Sequence, residues 1–316
     1  MSTLPASAHV LDHLLATLDI GVARFTVCDI RNEWGVHLDA SKMPTLHYCL
    51  EGVGTLTALG SPAIRLEPHT FVVLPPGSAY RMESGSPKSS RVERRASLCG
   101  TVSYESTPTL IAGDGRGGLV TACGEIRVGL AGGPDLFASL GEPLVVRFGS
   151  ADGLRDQFVM LLAESVRPGV GSRVLTEALL KQCLVLALRR WIERDPAPLP
   201  WLAGVADTQL SGALHAIFEQ PAVAYTVESL ALMASMSRSA FASAFRRAFG
   251  LSPMSLVKLV RLRRASELLI TTTLPVAKIA KQVGFSSRSN FSVSFAELHG
   301  MDPTRFRRAF SGPGRC

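Results

Sequence analysis

Hydrophobic positions follow one spacing in the first half of the chain and another beyond residue 150. Between about residues 20 and 130, short apolar runs such as Leu46–Leu50 and Thr70–Leu74 are separated by turns rich in glycine and proline. This spacing predicts many short strands and is typical of a β-sandwich or barrel. The other apolar runs that predict strands are Gly52–Leu59, Ala96–Val102 and Gly124–Leu130.

Helical spacing begins after residue 150, where apolar residues recur every three or four positions. The break at Arg167–Gly171 divides this region into an antiparallel helix pair over residues 150–194. We expect the pair to pack on the β region or to join two subunits. Three prolines within residues 195–200 then predict an extended linker, because proline cannot continue a helix.

A repeated unit occupies the last hundred residues. Val227–Phe245 and Val276–Phe295 share one order of apolar, small and polar residues, offset by 49 residues before an internal turn and by 50 after it. In each copy, a small alanine between apolar residues lets the following helix cross closely. The repeat therefore predicts two helix-turn-helix motifs within an all-helical region that starts near Thr208.

The ends of the second helix in each copy carry matching signals. Ser237 in the first copy, and Ser286 or Ser287 in the second, can cap the helix N-terminus. Gly250 and Gly300 suit the left-handed position that ends such a helix. Between the copies, the stripe of apolar residues over 254–271 predicts a linking helix of about 27 Å, which could place two motifs about one DNA turn apart.

The polar faces of the two second helices carry the candidate DNA-binding residues. We assign the phenylalanines on the opposite faces to the core. Short polar side chains and arginines near a helix N-terminus suit the major groove, because they let the backbone approach and can reach base edges. Basic residues of the linking helix suit phosphates. The candidates are Ser237, Arg238, Ser239, Ala242, Ser243, Arg246, Lys258, Arg261, Ser287, Arg288, Ser289, Asn290 and Ser292.

Charge supports a polyanionic partner for this region. Residues 211–316 hold 14 Lys and Arg against 5 Asp and Glu, whereas residues 1–210 hold 19 against 21. A basic segment beside a near-neutral body favours double-stranded DNA as the partner. The chain shows neither a signal peptide nor an apolar run of about 18 residues, so we expect a soluble, cytoplasmic protein that is not bound to a membrane.

Residues 208–310 resemble the AraC/XylS family of bacterial transcription regulators. Within Pro275–Phe295, one helix ends in Gly-Phe, the next begins with serines, and two phenylalanines stand four residues apart; Gly300–Arg307 then follows the pattern Gly-x-x-Pro-x-x-Phe-Arg. His299 departs mildly, since the family often has Phe or Tyr there. The resemblance implies a sequence-specific DNA-binding transcription regulator, an activator that works with RNA polymerase.

Residues 20–190 resemble, more weakly, the cupin-type N-terminal domain of many family members with its dimerising helices. His47–Gly52 and Gly77–Tyr80 carry this likeness. The implied protein is an α+β multidomain homodimer that responds to a small molecule. Its expected parts are a cupin-like β-barrel sensor domain (1–149), a dimerising helix pair (150–194), a linker (195–207) and an AraC-type DNA-binding domain with two helix-turn-helix motifs joined by a linking helix (208–316).

The metal ligands of a cupin enzyme are incomplete in this sequence. Such enzymes need a His-x-His, a Glu and a later His, but Cys49 and Tyr80 stand at two of these positions. We therefore expect no enzymatic activity, metal or other cofactor, with a metal-dependent cupin enzyme as the alternative. His47, Glu51 and Tyr80 become candidates for an effector pocket, since His47 and Glu51 share a strand face by the period of two. The alternative for His47 is a hydrogen-bonded interior histidine.

The six cysteines show no metal-binding spacing, and we expect a reducing compartment. Cys28 and Cys99 each stand near arginines in the sequence. Positive neighbours lower a thiol pKa and raise its reactivity, so these two are candidates for a redox sensor. The alternative for both is a small buried hydrophobic residue.

Overall fold

The fold is described from a computed structural model that covers residues 6–16, 18–85, 91–95, 109–114, 116–130, 135–137, 140–167, 169–193 and 200–310. The chain divides into two compact units, each folded around its own interior. We call residues 19–128 and 135–199 the sheet unit, and residues 1–18, 129–134 and 200–316 the helical unit. The predicted strand over Ala96–Val102 lies outside the described residues.

Strands among the described residues form two mixed sheets. Their bounds are β1 Leu18–Arg31, β2 Trp34–Leu38, β3 Thr45–Glu51, β4 Gly54–Ala58, β5 Ile64–Leu66, β6 Thr70–Leu74, β7 Tyr80–Ser84, β8 Arg91–Arg95, β9 Thr109–Ala112, β10 Gly118–Leu130 and β11 Leu144–Arg147. The six-stranded sheet has the order β11-β6-β3-β10-β1-β9, and the five-stranded sheet has the order β5-β4-β7-β2-β8. Parallel pairing joins β1 to β9 and β2 to β8, while β3 pairs antiparallel with β6 and β10.

Helices account for the rest of the regular structure that is described. Their bounds are α1 Ala6–Ala16, α2 Leu154–Val166, α3 Ser172–Ile192, α4 Pro200–Ala206, α5 Thr208–Glu219, α6 Val227–Met233, α7 Arg238–Phe249, α8 Pro253–Thr271, α9 Val276–Gln282, α10 Arg288–His299 and α11 Pro303–Phe310. The helix pair expected over residues 150–194 is present as α2 and α3, which pack against each other.

One apolar interior lies between the two sheets. Cys28, Val72 and Cys123 of the six-stranded sheet belong to the same buried cluster as Val36 and Met82 of the five-stranded sheet. Side chains alternate across a strand, so Cys28 and Ile30 of β1 both face this interior. The expected β-rich N-terminal region is therefore confirmed.

The outer face of the six-stranded sheet is covered by α2. Phe158 stacks on Tyr48 of β3 with ring centroids 4.3 Å apart, and Phe71 of β6 lies 6.2 Å from Phe158. Because β3 is covered on both faces, all of its residues except the last are buried. A continuous apolar run rather than a strict alternation is the expected sequence of such a strand.

The helical unit contains the two copies of the repeat as α6–α7 and α9–α10, with α8 between them. Phe241 and Phe245 of α7, and Phe291 and Phe295 of α10, are completely buried, which confirms their assignment to the core. In the second copy, the phenylalanines pack with α9 and with Phe306 of α11. The second helices therefore have one face fixed in the core and one polar face left outside.

Both copies use the same caps. The Ser237 side chain accepts a hydrogen bond from the Ala240 amide at 3.3 Å, and Ser287 accepts one from Asn290 at 3.4 Å. Each second helix ends at a glycine with φ of 69°, the left-handed conformation that glycine adopts without strain. These hydrogen bonds confirm the cap at Ser237 and select Ser287 over Ser286.

The turns inside the two copies share one backbone pattern. The Met236 amide donates to the Ala231 carbonyl, and the Phe285 amide donates to the Ala280 carbonyl, both at 2.9 Å. A residue with positive φ precedes each of these amides. It is Ser235 (φ 52°) in the first copy and Gly284 (φ 92°) in the second.

Two helices of the helical unit were not expected from the sequence. α1, at the start of the chain, packs on α5, where the His13 ring stacks on Phe218 at 5.5 Å. α4 begins at Pro200, inside the predicted linker; proline is tolerated in the first turn of a helix, where its missing N–H is not needed. The prediction of an extended linker through residue 207 is therefore wrong for residues 200–206, and residues 194–199 lie outside the described part of the chain.

Candidate nucleic-acid interface

The outer face of α7 is polar and small. Arg238, Ser239, Ser243 and Arg246 are exposed, and Ala242 is half-buried at its edge. Arg238 lies in the first turn, where the arginine can extend beyond the helix N-terminus. The small residues behind it leave the backbone accessible, which is the geometry that a major groove admits.

The outer face of α10 is built in the same way with different residues. Arg288, Ser289 and Asn290 are exposed in its first turn, and Ser287 and Ser292 are half-buried. Asparagine can make two hydrogen bonds to an adenine edge, and arginine can make two to guanine. The two second helices therefore offer different hydrogen-bonding groups from equivalent positions.

Two candidate cations are engaged in ion pairs. Arg238 pairs with Glu228 of α6 at 2.9 Å, and Lys258 of α8 pairs with Glu297 of α10 at 3.1 Å. All four side chains are largely exposed, so each pair contributes at most about 1 kcal/mol to stability. Either cation can leave its carboxylate for a phosphate or a base at small cost.

Arg261 differs from the other candidates, because its guanidinium binds the protein backbone. Its Nε donates to the Pro221 carbonyl at 2.7 Å, and its Nη2 donates to the Val223 carbonyl at 2.8 Å. Burial lowers the pKa of Arg261. We predicted a DNA contact for this residue, but the structure gives it the task of holding the loop between α5 and α6.

Sequence reasoning placed Glu297 on the polar face of α10 but missed Arg247 of α7 and Val293 of α10, whose side chains are both exposed. The 50-residue offset places Val293 opposite Ser243 when the two copies are aligned, and Glu297 opposite Arg247. That offset was the signal that could have found them. The charge at the second of these positions is reversed between the copies.

In the sheet unit, His47 is completely buried and both ring nitrogens are engaged. Nδ1 lies 3.2 Å from Cys123 Sγ, and Nε2 lies 3.1 Å from Thr45 Oγ1. His47 thus matches the alternative that we considered, a hydrogen-bonded interior histidine. Its neighbour Tyr80 is also buried, with ring centroids 4.8 Å apart, and burial raises the pKa of the Tyr80 hydroxyl.

Glu51 does not share a face with His47 as the strand period predicted. It is exposed at the end of β3 and pairs with Arg155 of α2 at 2.7 Å. An irregularity in the pairing of β10 with β3 falls at Val120 and Thr121, beside Glu51, so regular alternation ends there. The structure therefore brings His47 and Tyr80 together and leaves Glu51 apart.

The expected activation of Cys28 by arginine is wrong. Arg31 pairs with Asp29 at 3.0 Å, and Cys28 points the opposite way into the interior. A hydrogen bond with Cys123 and burial together raise the pKa of Cys28 well above the usual thiol value. The other redox candidate, Cys99, lies outside the described residues.

Cys123, which the sequence pattern does not identify, has a thiol whose pKa is lowered rather than raised. Burial raises its pKa, but hydrogen bonds from Cys28, His47 and Thr121 and the charge of His47 outweigh burial and lower the pKa to about 5. Thr121 Oγ1 lies 3.1 Å from the sulfur. His47 is directly opposite Cys123 in the pairing of β3 with β10.

Neither a metal cluster nor a membrane-spanning helix occurs among the described residues. In the described ranges, no three or more His, Cys, Asp and Glu side chains lie close enough together to hold a metal ion. Within the same part of the chain, no helix has both the length and the apolar character needed to cross a membrane.

Two family models match separate parts of the chain. A family model described as cupin matches residues 9–193, and one described as a helix-turn-helix domain matches residues 230–309. The chain is 26% identical over 282 residues to the RCS-specific HTH-type transcriptional activator RclR of Escherichia coli (strain K12). This match covers 89% of this chain and 90% of RclR.

Two shorter matches concern half of the chain. The HTH-type transcriptional regulator AlkR of Acinetobacter baylyi is 34% identical over 151 residues, which is 48% of this chain and 49% of AlkR. A Streptomyces antibioticus protein named as an AraC-like transcription regulator is 35% identical over 140 residues, which is 44% of this chain and 46% of that protein. The chain thus spans almost the whole of the first relative and about half of the other two.

Proposed function

We propose that this chain, as a member of the AraC/XylS family of DNA-binding transcription regulators with a cupin N-terminal domain, activates specific promoters. It does so through two helix-turn-helix motifs. α6–α7 and α9–α10 are those motifs, and α7 and α10 read bases in two major grooves. We further propose that the chain acts by binding rather than by catalysis.

The observation that carries this proposal is the division of α7 and α10 into two faces. The aromatic face of each helix is buried, and the other face exposes Arg238 and Ser239, or Arg288 and Asn290. α8, with 19 residues, spans about 28 Å, close to the ~34 Å between major grooves on one side of DNA. Because the exposed residues differ between the copies, we expect each subunit to bind an asymmetric sequence.

Selection of bound fragments from genomic DNA tests sequence specificity directly. On the selected site, we expect Arg238→Ala or Arg288→Ala to weaken binding by about 1–3 kcal/mol, and to weaken binding to random DNA much less. Lys258→Ala should weaken both and reduce the slope of log affinity against log salt by about 1. Arg65→Ala, an exposed arginine of the sheet unit, is the matched control and should change neither.

The outcome that contradicts this division of roles is an equal loss on selected and random DNA for all three variants. Selection that yields no common sequence would contradict specific binding altogether. Glu228→Gln offers an opposite test, because it releases Arg238 from its ion pair. We expect this variant to bind the selected site at least as tightly as the unaltered protein.

Activation and dimerisation are parts of the same proposal. The exposed apolar side chains Val159 and Met160 of α2, and Val174 of α3, support a second subunit on this helix pair. Sedimentation should show a dimer that Val174→Glu shifts towards monomer; an unaltered chain that sediments as a monomer would contradict it. Transcription in vitro with RNA polymerase and a promoter bearing the selected site should rise on adding the protein, and a fall would instead indicate repression.

We propose that the sheet unit receives the signal, a small molecule or an oxidant. His47 and Tyr80 lie inside this unit and contact each other, whereas Glu51 lies outside. Since both ring nitrogens of His47 already have partners, a small-molecule effector would have to displace Cys123 or Thr45 from it. The contact of His47 with the Cys123 thiol makes the oxidant the better supported of the two signals.

A further inference from the structure

The interior of the sheet unit contains a row of residues that crosses three neighbouring strands. Cys123 of β10 is directly opposite His47 of β3, and Cys28 lies on β1, the next strand of the same sheet. Cys28 and Cys123 belong to the same buried cluster, and the two thiols lie close enough to shift each other's pKa. All three residues are completely buried, and both cysteines are free thiols.

We propose that Cys28 and Cys123 form a disulfide when a small, uncharged two-electron oxidant enters the sheet unit, and that His47 positions Cys123 to react first. The two cysteines lie on neighbouring strands and in one buried cluster. Side chains directly opposite each other on such strands have Cβ atoms about 4.5–5.5 Å apart, and a disulfide needs about 3.5–4.5 Å, so only a small approach of the strands would be required in that register. The signalling part of this inference rests on the proposed function; the formation of the bond does not.

The surroundings of Cys123 favour it as the attacking sulfur. The hydrogen bond with Thr121, the facing imidazole of His47 and the neighbouring Cys28 thiol all favour a thiolate at Cys123. The remaining titratable groups that face it are Cys49 and Tyr80, and burial raises the pKa of both. Cys28 keeps its proton at first, and it gives this proton to the hydroxide that leaves Cys123 in the second step.

The chemistry balances with a peroxide as oxidant. The Cys123 thiolate attacks one peroxide oxygen, the S–O bond forms, the O–O bond breaks, and the departing oxygen leaves as water with the proton from His47 and its own hydrogen. The Cys28 thiol then attacks the sulfenic acid sulfur, the S–S bond forms, the S–O bond breaks, and a second water leaves with the Cys28 proton. The two sulfurs lose two electrons, and hydrogen peroxide is reduced to two waters.

The strands that carry the two cysteines continue directly into the helical unit. β1 starts at Leu18, which groups with α1 in the helical unit, and the last residues of β10, Gly129 and Leu130, also group there. A bond between β1 and β10 therefore changes two of the strands through which the chain passes from one unit to the other. This continuity is the reason to expect that oxidation alters DNA binding.

Peptide mapping after treatment of the full-length protein with hydrogen peroxide, followed by alkylation of free thiols, tests bond formation. We expect a Cys28–Cys123 peptide that disappears with dithiothreitol and is absent from Cys28→Ser and Cys123→Ser. Cys183→Ala, a buried thiol of α3 outside the row, is the matched control and should leave the bond unchanged. A protein whose thiols stay free, or whose Cys123 joins Cys49 or Cys99 instead, would overturn the inference.

The role of His47 has its own readout in the pH profile of thiol loss. In the unaltered protein, the rate should be nearly constant from pH 6.5 to 8, because the Cys123 thiolate is already formed. In His47→Asn, the rate should rise by about tenfold per pH unit over the same range, provided circular dichroism shows an intact fold. Equal profiles would overturn the positioning role of His47.

DNA binding separates the two proposals. Reduced protein that selects no sequence refutes the proposed function and leaves the disulfide map unaffected. If the reduced protein binds its site, we expect oxidation to change that affinity at least tenfold, with no change in Cys123→Ser. A disulfide that forms without any change in affinity would overturn its role as a signal.

Discussion

Gly284 offers a sharp test of the turn geometry in the second copy of the repeat. It has φ of 92°, and a Cβ placed there would lie 2.7 Å from the Ala222 carbonyl oxygen and 2.8 Å from the Ala222 Cα. Both obstructing atoms belong to the backbone and cannot rotate away. Alanine at 284 must therefore adopt a strained conformation and also displace the loop between α5 and α6.

The expected cost of Gly284→Ala combines these two effects. Left-handed backbone costs a residue with a Cβ about 1–2 kcal/mol, and inserting a methyl group into packed surroundings costs about 1–3 kcal/mol. We expect a loss of about 2–5 kcal/mol in the free energy of unfolding. The equivalent residue in the first copy, Ser235, already has a side chain at φ of 52°, and Ser235→Gly should change stability by no more than about 1 kcal/mol.

Urea unfolding of the full-length protein, with hydrogen exchange of the α10 amides, measures this contrast. Protection of α10 should fall in Gly284→Ala and stay unchanged in Ser235→Gly. Affinity for the selected DNA should fall with the first variant as α10 loses its support. A Gly284→Ala protein within about 0.5 kcal/mol of the unaltered one would show that the close approach of the turn to Ala222 is wrong.

Three further predictions concern the helical unit. Phe295→Ala should lower the free energy of unfolding by about 3–5 kcal/mol in chemical denaturation, because a fully buried ring is lost, whereas the exposed Val293→Ala should cost less than about 0.5 kcal/mol. Arg261→Ala should lower the free energy of unfolding by about 1–3 kcal/mol and increase hydrogen exchange in the loop that Arg261 holds. Arg264, which forms an exposed ion pair with Glu267, is the control, and Arg264→Ala should lower it by less than about 1 kcal/mol. Equal losses in the two variants would contradict the structural role of Arg261. Burial lowers the pKa of His299, so the unfolded chain binds the proton at a higher pH than the folded chain does, and stability should fall as the pH drops below about 6.5. Denaturation measured from pH 8 to 5 should show a smaller fall in the stability of His299→Phe. Identical pH dependence of the two proteins would refute this.

The local devices of the repeat could be predicted from sequence, because each depends on residues close together in the chain. A capping serine accepts a hydrogen bond from the amide three residues later, and a glycine ends the helix. Both act within one turn of helix. The sequence alone therefore identifies Ser237 and Gly250, and it also identifies the buried phenylalanines. His299 also behaves as expected of an aromatic core position, with its ring 4.3 Å from Phe295 and 4.8 Å from Phe306.

The sites of the sheet unit could not be predicted, because they depend on strands that are far apart in sequence. Cys28 and Cys123 are separated by 95 positions, and only the order of strands in the sheet makes them neighbours. Glu51 was placed on the wrong face because regular alternation ends beside it at an irregularity in the pairing. Arg261 carries the pattern of a phosphate contact, and its true partners are backbone carbonyls that no sequence pattern shows.

The packing of α1 on α5 has a consequence for how this gene can recombine. His13 contacts Phe218 and lies 3.4 Å from Glu219, and Arg263 of α8 donates to the Ala16 carbonyl. The helical unit is thus encoded on both sides of the sequence that encodes most of the sheet unit. A single crossover near codon 200 that joined the front of one relative to the back of another would separate His13 from its partners. A functional hybrid would need two exchanges, one on each side of the sheet unit, so that the first helix is inherited together with the DNA-binding helices.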